Sequence, residues 1–275
     1  MALRNWVRGT VPWEDLEQVG RELARRSPDD RIRIEFLDAD NWLSTPMVVD
    51  ERWFVKVVSP QNSFVHTLFT TGRNLGAFSS GTEGFFDHFA TPIHMAEHEF
   101  AATTRMRAIG LRAPEPVETF AVGDLGVLVL EYLPDFRTLD QLSVVETRAL
   151  AEPLFRVLFQ LHQHELVHGD MRGENVLVVD DEIVFIDATS VREEGLDGAR
   201  AYDLACAMAV LTPVLGARET VAVAARVYPA TDLLAAREFL DFVNMRPDHD
   251  FDAGLVKGEI EKVANRQQDG GRSGT

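Results

Sequence analysis

Residues 161–189 constrain this chain more than any other stretch. They read LHQHELVHGDMRGENVLVVDDEIVFIDAT. Val176 to Val179 and Ile183 to Ile186 are short β-type runs flanking Asp180-Asp181-Glu182. Two such runs across a three-residue turn predict a hairpin. A turn centred on Asp181 puts Val179 opposite Ile183 and Asn175 opposite Asp187, and a slip of one residue leaves that last pair neighbours. An amide oxygen and a carboxylate therefore meet at the open end of the hairpin. Asp170 precedes them in His168-Gly169-Asp170, on the loop leading in. Oxygen donors on a rigid hairpin suit Mg²⁺, which keeps several waters and completes its shell with phosphate oxygens. The competing structural reading is a polar turn after a helix, with Asp187 capping a strand.

Bulk properties bound the rest. The chain has 275 residues and 45 % hydrophobic content, enough for one two-lobed domain or two small ones with a real core. Cys206 is the single cysteine, so no internal disulfide forms and a reducing, cytoplasmic setting is expected. No apolar run approaches the length of a membrane span, and the N-terminus lacks an apolar signal region. Net charge is −17, and only Lys56, Lys257 and Lys262 among the 27 basic residues are lysines. This acidic, lysine-poor balance fits a salt-adapted, halophilic protein, whose self-repulsion is screened inside the cell, as well as an ordinary acidic one. It disfavours non-specific binding to a phosphate backbone, and no sequence-specific DNA binding is expected.

Taken in order, residues 1–30 read as a helical extension, with Trp13, Leu16, Val19 and Leu23 at helical spacing from Pro12 to Arg26. Strands are expected at 32–37, 47–49 and 52–58. Lys56 lies inside the third, where a charge is costly unless paired or solvated. Residues 60–90 carry four glycines and scattered phenylalanines and read as a flexible insertion. Thr91-Pro92 is a good helix start and Gly110 a good stop. Glu97 and Glu99 fall on different faces of that helix, and Glu99 shares a stripe with Met95, Ala102, Met106 and Ile109. An acid among apolar neighbours needs a partner, and Lys56 is the expected one.

A strand pair follows around Gly123-Asp124, and Glu131-Tyr132-Leu133-Pro134 leaves it as an extended connector. Ser143 and Glu146 form a capping box for a helix to about His164. Tyr202 opens an apolar helix with Asp203 at its start, read equally as dipole complementation or as an anchor for the loop at Asp170. Helices are expected at 218–228, 232–245 and 252–265, and residues 266–275 as a disordered tail. His162 and His164 sit two apart at a helix end and do not share a face, so they are not read as metal ligands.

The assembled order is strands with a lysine, a helix with a glutamate, an extended connector, then a helical region with H-x-D-x4-N and a distal aspartate. It resembles the protein-kinase-like fold over about residues 31–215. That implies an α+β, two-lobed architecture. The N-lobe, 31–131, is a small antiparallel sheet with one helix, and the C-lobe, 132–265, is mainly helical. Within that superfamily the chain is most similar to the RIO-type kinases. The similarity rests on Ala96-Glu97-His98-Glu99-Phe100, Ala113-Pro114-Glu115-Pro116-Val117, the insertion after Lys56, and Ile186-Asp187-Ala188-Thr189-Ser190. The last of these lacks the Phe-Gly that usually follows the metal aspartate. The absence of a peptide-docking activation segment, and His-Gly-Asp itself, are shared with aminoglycoside phosphotransferases.

The resemblance implies roles residue by residue. Asp170 would orient or deprotonate an acceptor hydroxyl, with Arg172 near the transferred phosphate. Asn175 and Asp187 would hold Mg²⁺ on ATP, and Asp187 would be the acceptor should an aspartyl-phosphate form. Lys56 would contact the α- and β-phosphates and pair with Glu99. Glu131 to Leu133 would bind adenine through their backbone. Ser44 and Thr45 lie in the turn between the first two strands, where the family carries a glycine loop. Here that turn, 37–46, has no glycine and two aspartates, and Ser44 and Thr45 stand in for it.

The function implied is an ATP- and Mg²⁺-dependent RIO-like serine/threonine kinase or ATPase acting on itself, a protein partner or water. A ribosome-assembly substrate is suggested by resemblance alone. A pseudokinase scaffold is the second reading, favoured by the altered turn. A small-molecule kinase is the third, for which Asp241, Asp248, Asp250 and Asp252 would supply an acidic pocket.

Overall fold

The computed structural model describes residues 11–28, 31–37, 44–61, 91–188, 195–246 and 249–272. The insertion expected at 60–90 and the centre of the first strand turn, 38–43, lie almost wholly outside them. Contacts divide the chain into two compact units, with the break in the connector between Asp135 and Phe136.

The first unit is a five-stranded antiparallel sheet in the order β1-β2-β3-β5-β4. Its strands are β1 (Ile34–Phe36), β2 (Thr45–Val49), β3 (Trp53–Val58), β4 (Pro116–Val122) and β5 (Leu125–Glu131). The period-2 alternation of β3 decides what each face carries. Trp53, Val55 and Val57 join Val127 and Val129 in a core covered by Val19 and Leu23 of α1 (Trp13–Arg26). Phe54 packs on the other face with Leu128, Leu130 and Ala96, the last from α2 (Pro92–Ala108). Lys56 has even parity with Phe54, so the pleat directs it toward α2. Residues 13–26 are thus a wall of this unit and not a separate extension, because Val19 and Leu23 are completely buried. Trp13, by contrast, is exposed and only approaches Phe36, at 6.0 Å between rings.

Helix α2 begins as expected, with the His94 N–H donating to Thr91 Oγ1 at 3.4 Å. Its buried face runs through Ala96, Thr103 and Met106, about one residue round from the expected stripe, and Glu99 stays on it. Strand β2 starts earlier than expected, at Thr45, so Thr45 and Pro46 are strand residues opposite Val57 and Lys56. Pro46 is tolerated because β1 has ended: its carbonyl still accepts from the Leu37 N–H at 3.1 Å, and no donor is required of it there.

The second unit contains the three-stranded sheet β6-β7-β8 (Arg137–Thr138, Val176–Val179, Glu182–Phe185) and six helices among the described residues. Helix α3 (Val144–Gln163) opens with the Ser143/Glu146 capping box. Helix α4 (Leu196–Leu215) is buried nearly all round, which makes it the axis of the unit. Against it and one another pack α5 (Ala217–Ala224), α6 (Ala230–Arg237), α7 (Leu240–Asn244) and α8 (Ala253–Arg272). The single helix expected at 232–245 is two, because the chain tightens at Glu238 and Phe239 into bonds to the carbonyls three residues back. The tail expected from 266 is helical as far as Arg272, where Arg266, Gln267 and Gln268 extend α8 with good helix formers.

One glycine is fixed by space. A Cβ on Gly126 would lie 2.3 Å from the Pro92 carbonyl oxygen and 2.7 Å from the Ile93 nitrogen. Strand β5 and the first turn of α2 therefore touch backbone to backbone. Gly126→Ala should lower the unfolding midpoint by at least the equivalent of about 1–3 kcal/mol of overpacking, measured by thermal denaturation. An unchanged midpoint would show that α2 moves away freely.

Candidate active site

In the first unit the structure brings Lys56 and Glu99 together. Lys56 Nζ donates to Glu99 Oε1 at 2.7 Å, with the lysine side chain 5 % exposed and the glutamate 18 %. Burial removes water from both partners, so truncating either leaves a charge uncompensated, at a cost of about 3–5 kcal/mol. At the end of β5, the Glu131 N–H donates to the Glu115 carbonyl at 2.8 Å and the Tyr132 N–H to the Arg52 carbonyl at 2.8 Å. Both amides are spent on tying the connector to the sheet. Of the backbone expected to meet adenine at 131–133, the Leu133 N–H makes no such bond among the described residues. Ser44 is buried immediately before β2, and Thr45 is inside it.

In the second unit the hairpin forms, with a correction. The register pairs Val176 with Phe185, Leu177 with Val184, Val178 with Ile183 and Val179 with Glu182. The connection is thus a two-residue turn, Asp180-Asp181, and not three. Both aspartates have positive φ, 52° and 61°, as a type I′ hairpin turn requires. Arg112 holds that turn from outside, reaching Asp180 at 3.0 Å and Glu182 at 2.6 Å. Asn175 now faces Ile186, whose N–H donates to the Asn175 carbonyl at 3.2 Å. Asp187 follows directly, with φ at 62°. Asn175 and Asp187 therefore still share the open end of the hairpin.

The loop at Asp170 is pinned from below by Asp203, which is fully buried in α4. Asp203 Oδ2 accepts from the His168 N–H at 2.6 Å, and Oδ1 from the Gly169 N–H at 2.7 Å. Helix α4 starts at Leu196 and not at the expected Tyr202, so Asp203 lies inside it and not at its N-terminus, and the anchor reading is the one realised. His162 Nε2 lies 3.3 Å from Asp203 Oδ2, and its Nδ1 is 3.0 Å from the Tyr228 hydroxyl. Gly169 has φ at 78°, so glycine suits the turn that aims both amides at one carboxylate. The same bend lifts Asp170 toward Asn175. Asn175 Nδ2 donates to the Asp170 carbonyl at 2.8 Å and to Asp170 Oδ2 at 3.3 Å. The amide nitrogen is thereby committed, which leaves the oxygen as the atom Asn175 offers a cation. An amide oxygen and a carboxylate at the same end of one hairpin are hard-oxygen donors, the chemistry that suits Mg²⁺.

Asp170 is also flanked by charge. Arg172 Nε lies 3.1 Å from Oδ2, and Arg246 Nη2 donates to Oδ1 at 3.0 Å. Arg246 was not legible in the sequence. It stands 76 positions away, at the end of a short helix, with no motif around it. Of the acids grouped for an acidic pocket, two serve locally: Asp252 Oδ1 caps α8 at the Leu255 N–H, 3.0 Å, and Asp241 pairs with Lys257. Burial pushes the Cys206 thiol up to about 12, which keeps it in the protonated form. No helix among the described residues is long and apolar enough to cross a membrane.

His168 is completely buried, edge-on to Phe185 at 5.3 Å, and its Nδ1 accepts from the Asp170 N–H at 3.3 Å. Burial holds its imidazole below the ordinary value, against the opposing charges of Asp203 and Asp170 and a bond to the Ile186 backbone. The unfolded ring therefore binds a proton more readily than the folded one. The stability this contributes is complete above the unfolded value and is lost as pH falls below about 6.5 toward the folded value. Measured as unfolding midpoint against pH, His168→Gln should flatten the decline that begins there. An identical slope in the two proteins would remove His168 as its source.

A family model described as "RIO domain" matches residues 87–197. The EKC/KEOPS complex subunit BUD32 of Debaryomyces hansenii is 43 % identical over 49 residues, 18 % of this chain. That match spans only 19 % of the relative's length. The structure of the Cydia pomonella Granulovirus kinase PK-1 superposes with a TM-score of 0.44 and 15 % identity, covering 89 % of this chain and 97 % of that one. The chain is therefore similar to RIO-domain proteins over residues 87–197, a stretch that holds Glu99, Asp170, Asn175 and Asp187.

Proposed function

We propose that this chain is an ATP- and Mg²⁺-dependent phosphotransferase that moves the γ-phosphoryl group of ATP to a serine hydroxyl, its own or a partner's, or to water. ADP leaves, and the acceptor's proton is lost as the new P–O bond forms. The observation that carries the reading is the contact between Asn175 Nδ2 and Asp170, which orients a carboxylate and an amide oxygen from one short loop. Phosphoryl transfer asks little covalent chemistry of a protein and much positioning and charge neutralisation. In this reading Asp170 receives and orients the acceptor hydroxyl. Arg172 neutralises charge on the transferred group. Lys56, held straight by Glu99, contacts the α- and β-phosphates as a point charge. Leu133 meets adenine through its N–H, with Glu131 beside it, and Ser44 and Thr45 border the phosphates. Asn175 and Asp187 would hold Mg²⁺, which would supply neutralisation of phosphate charge there. That one of the similar proteins is a complex subunit supports a protein partner.

The test is phosphate release and self-labelling from γ-labelled ATP, with Mg²⁺ in molar KCl. Wild type should turn over, and Asp170→Ala should bind ATP yet lose about 10²-fold or more in turnover. Equal activity in that variant would remove Asp170 from the chemistry. Asp187→Ala should abolish Mg²⁺-dependent ATP binding while keeping the fold, and unchanged affinity would sink the metal assignment. ATP binding without turnover in wild type would instead establish the scaffold reading, for which the glycine-free turn at 37–46 is the supporting observation.

A further inference from the structure

Arg246 is the charged group at Asp170 that no part of the phosphotransfer reading has used. It lies just past α7, and its side chain is only 14 % exposed. One arm of the guanidinium, Nη2, donates to Asp170 Oδ1 at 3.0 Å, and the other, Nη1, donates to the Tyr202 hydroxyl. Tyr202 is fully buried in α4 with the rings of Phe239 and Phe242 about it, at 6.1 and 6.0 Å. It directly precedes Asp203. Helix α4 thus fixes the loop twice. Asp203 sets the backbone at His168 and Gly169, and Tyr202 through Arg246 sets the side chain at Asp170.

The two arginines on Asp170 are not equivalent. Arg172 belongs to the same loop, is 27 % exposed and also pairs with Glu174, so it travels with the loop. Arg246 comes from a different part of the chain and is braced by the hydroxyl of a fully buried ring. A planar fork can hold a hydroxyl and a carboxylate at once, whereas an ammonium on a flexible stem holds neither in a fixed plane. Oδ2 is engaged by Asn175 and Arg172 and Oδ1 by Arg246, so the guanidinium bears on how the carboxylate faces an acceptor hydroxyl.

We propose that Arg246 is a positioning residue for phosphotransfer: it fixes the plane of the Asp170 carboxylate and so the side on which the acceptor hydroxyl docks. This rests on the phosphotransfer reading of the site. Arg246→Met, folded by circular dichroism, should lose about tenfold or more in kcat. Its KM for ATP should stay within about twofold, since the defect lies at the acceptor and not the nucleotide. Arg246→Lys should not restore the rate. Added guanidinium ion should restore part of it in Arg246→Ala and none in Asp170→Ala. Tyr202→Phe, which removes the brace but keeps the ion pair, should lose less than Arg246→Met. Full kcat in a folded Arg246→Met protein overturns the proposal. So does a loss that guanidinium does not relieve while Lys restores it, which is what charge alone would give.

A readout free of activity separates this from the proposed function. Breaking a buried pair from one side leaves the other charge stranded, so Arg246→Met should lower the unfolding midpoint by about 5–10 °C, and adding Asp170→Asn should recover part of that. Additive effects of the two substitutions would overturn the pairing itself. An inactive wild type would overturn phosphotransfer and the catalytic part of the Arg246 role, while the unfolding cycle would still decide whether the pair is formed.

Discussion

The Asp203 carboxylate is the constraint on which the second unit depends. It sits in the most buried helix, takes the His168 N–H on Oδ2 and the Gly169 N–H on Oδ1, and has His162 at Oδ2 as well. Burying a carboxylate is tolerable only when its lone pairs are filled by donors, and two short bonds to main-chain amides supply them. The reverse also holds. Consecutive amides can converge on one acceptor only if the chain bends sharply between them, which Gly169 allows. The loop at Asp170 therefore has its shape because a charge beneath it must be satisfied.

From that anchor the site is built by short-range bonds. The bend at Gly169 presents Asp170. Asp170 takes the Asn175 amide, and Asn175 starts the hairpin whose other strand ends at Asp187. Each group fixes the next, so the geometry does not rely on long flexible side chains. The exceptions are Arg172 and Arg246, whose guanidiniums reach Asp170 from either side. In the first unit one pair has the comparable role: strand alternation puts Lys56 on the α2 face, and Glu99 is the acid waiting there.

The acidic surface bears on this arrangement only indirectly. Its exposed ion pairs, such as Arg21–Glu17 and Arg156–Glu152, each contribute little in water and less in salt. The buried pairs Lys56–Glu99 and Arg246–Asp170 are far less screened. A site held by buried charge pairs on short loops keeps its geometry across salt conditions that would rearrange a surface network.

Local patterns in the chain were enough to place the elements around the site. The capping box at Ser143, the Thr91-Pro92 helix start, and the apolar runs around Asp180-Asp181 act over a few residues, and such signals survive without tertiary context. The pairing of Lys56 with Glu99 was legible because a charge in a strand and an acid on an apolar helix stripe each demand a partner. Hairpin register was not legible to a single residue, since two aspartates at positive φ make a tighter turn than composition suggests. Nor was the place of residues 13–26, whose amphipathic pattern says that a face is buried but not against what. The same pattern cannot say that Arg246 and Tyr202 meet Asp170. Sequence fixed the order of the elements and the chemistry each could carry, because periodicity and capping are local. Only the tertiary structure decided which distant charges share one carboxylate, because that depends on how helices pack around α4.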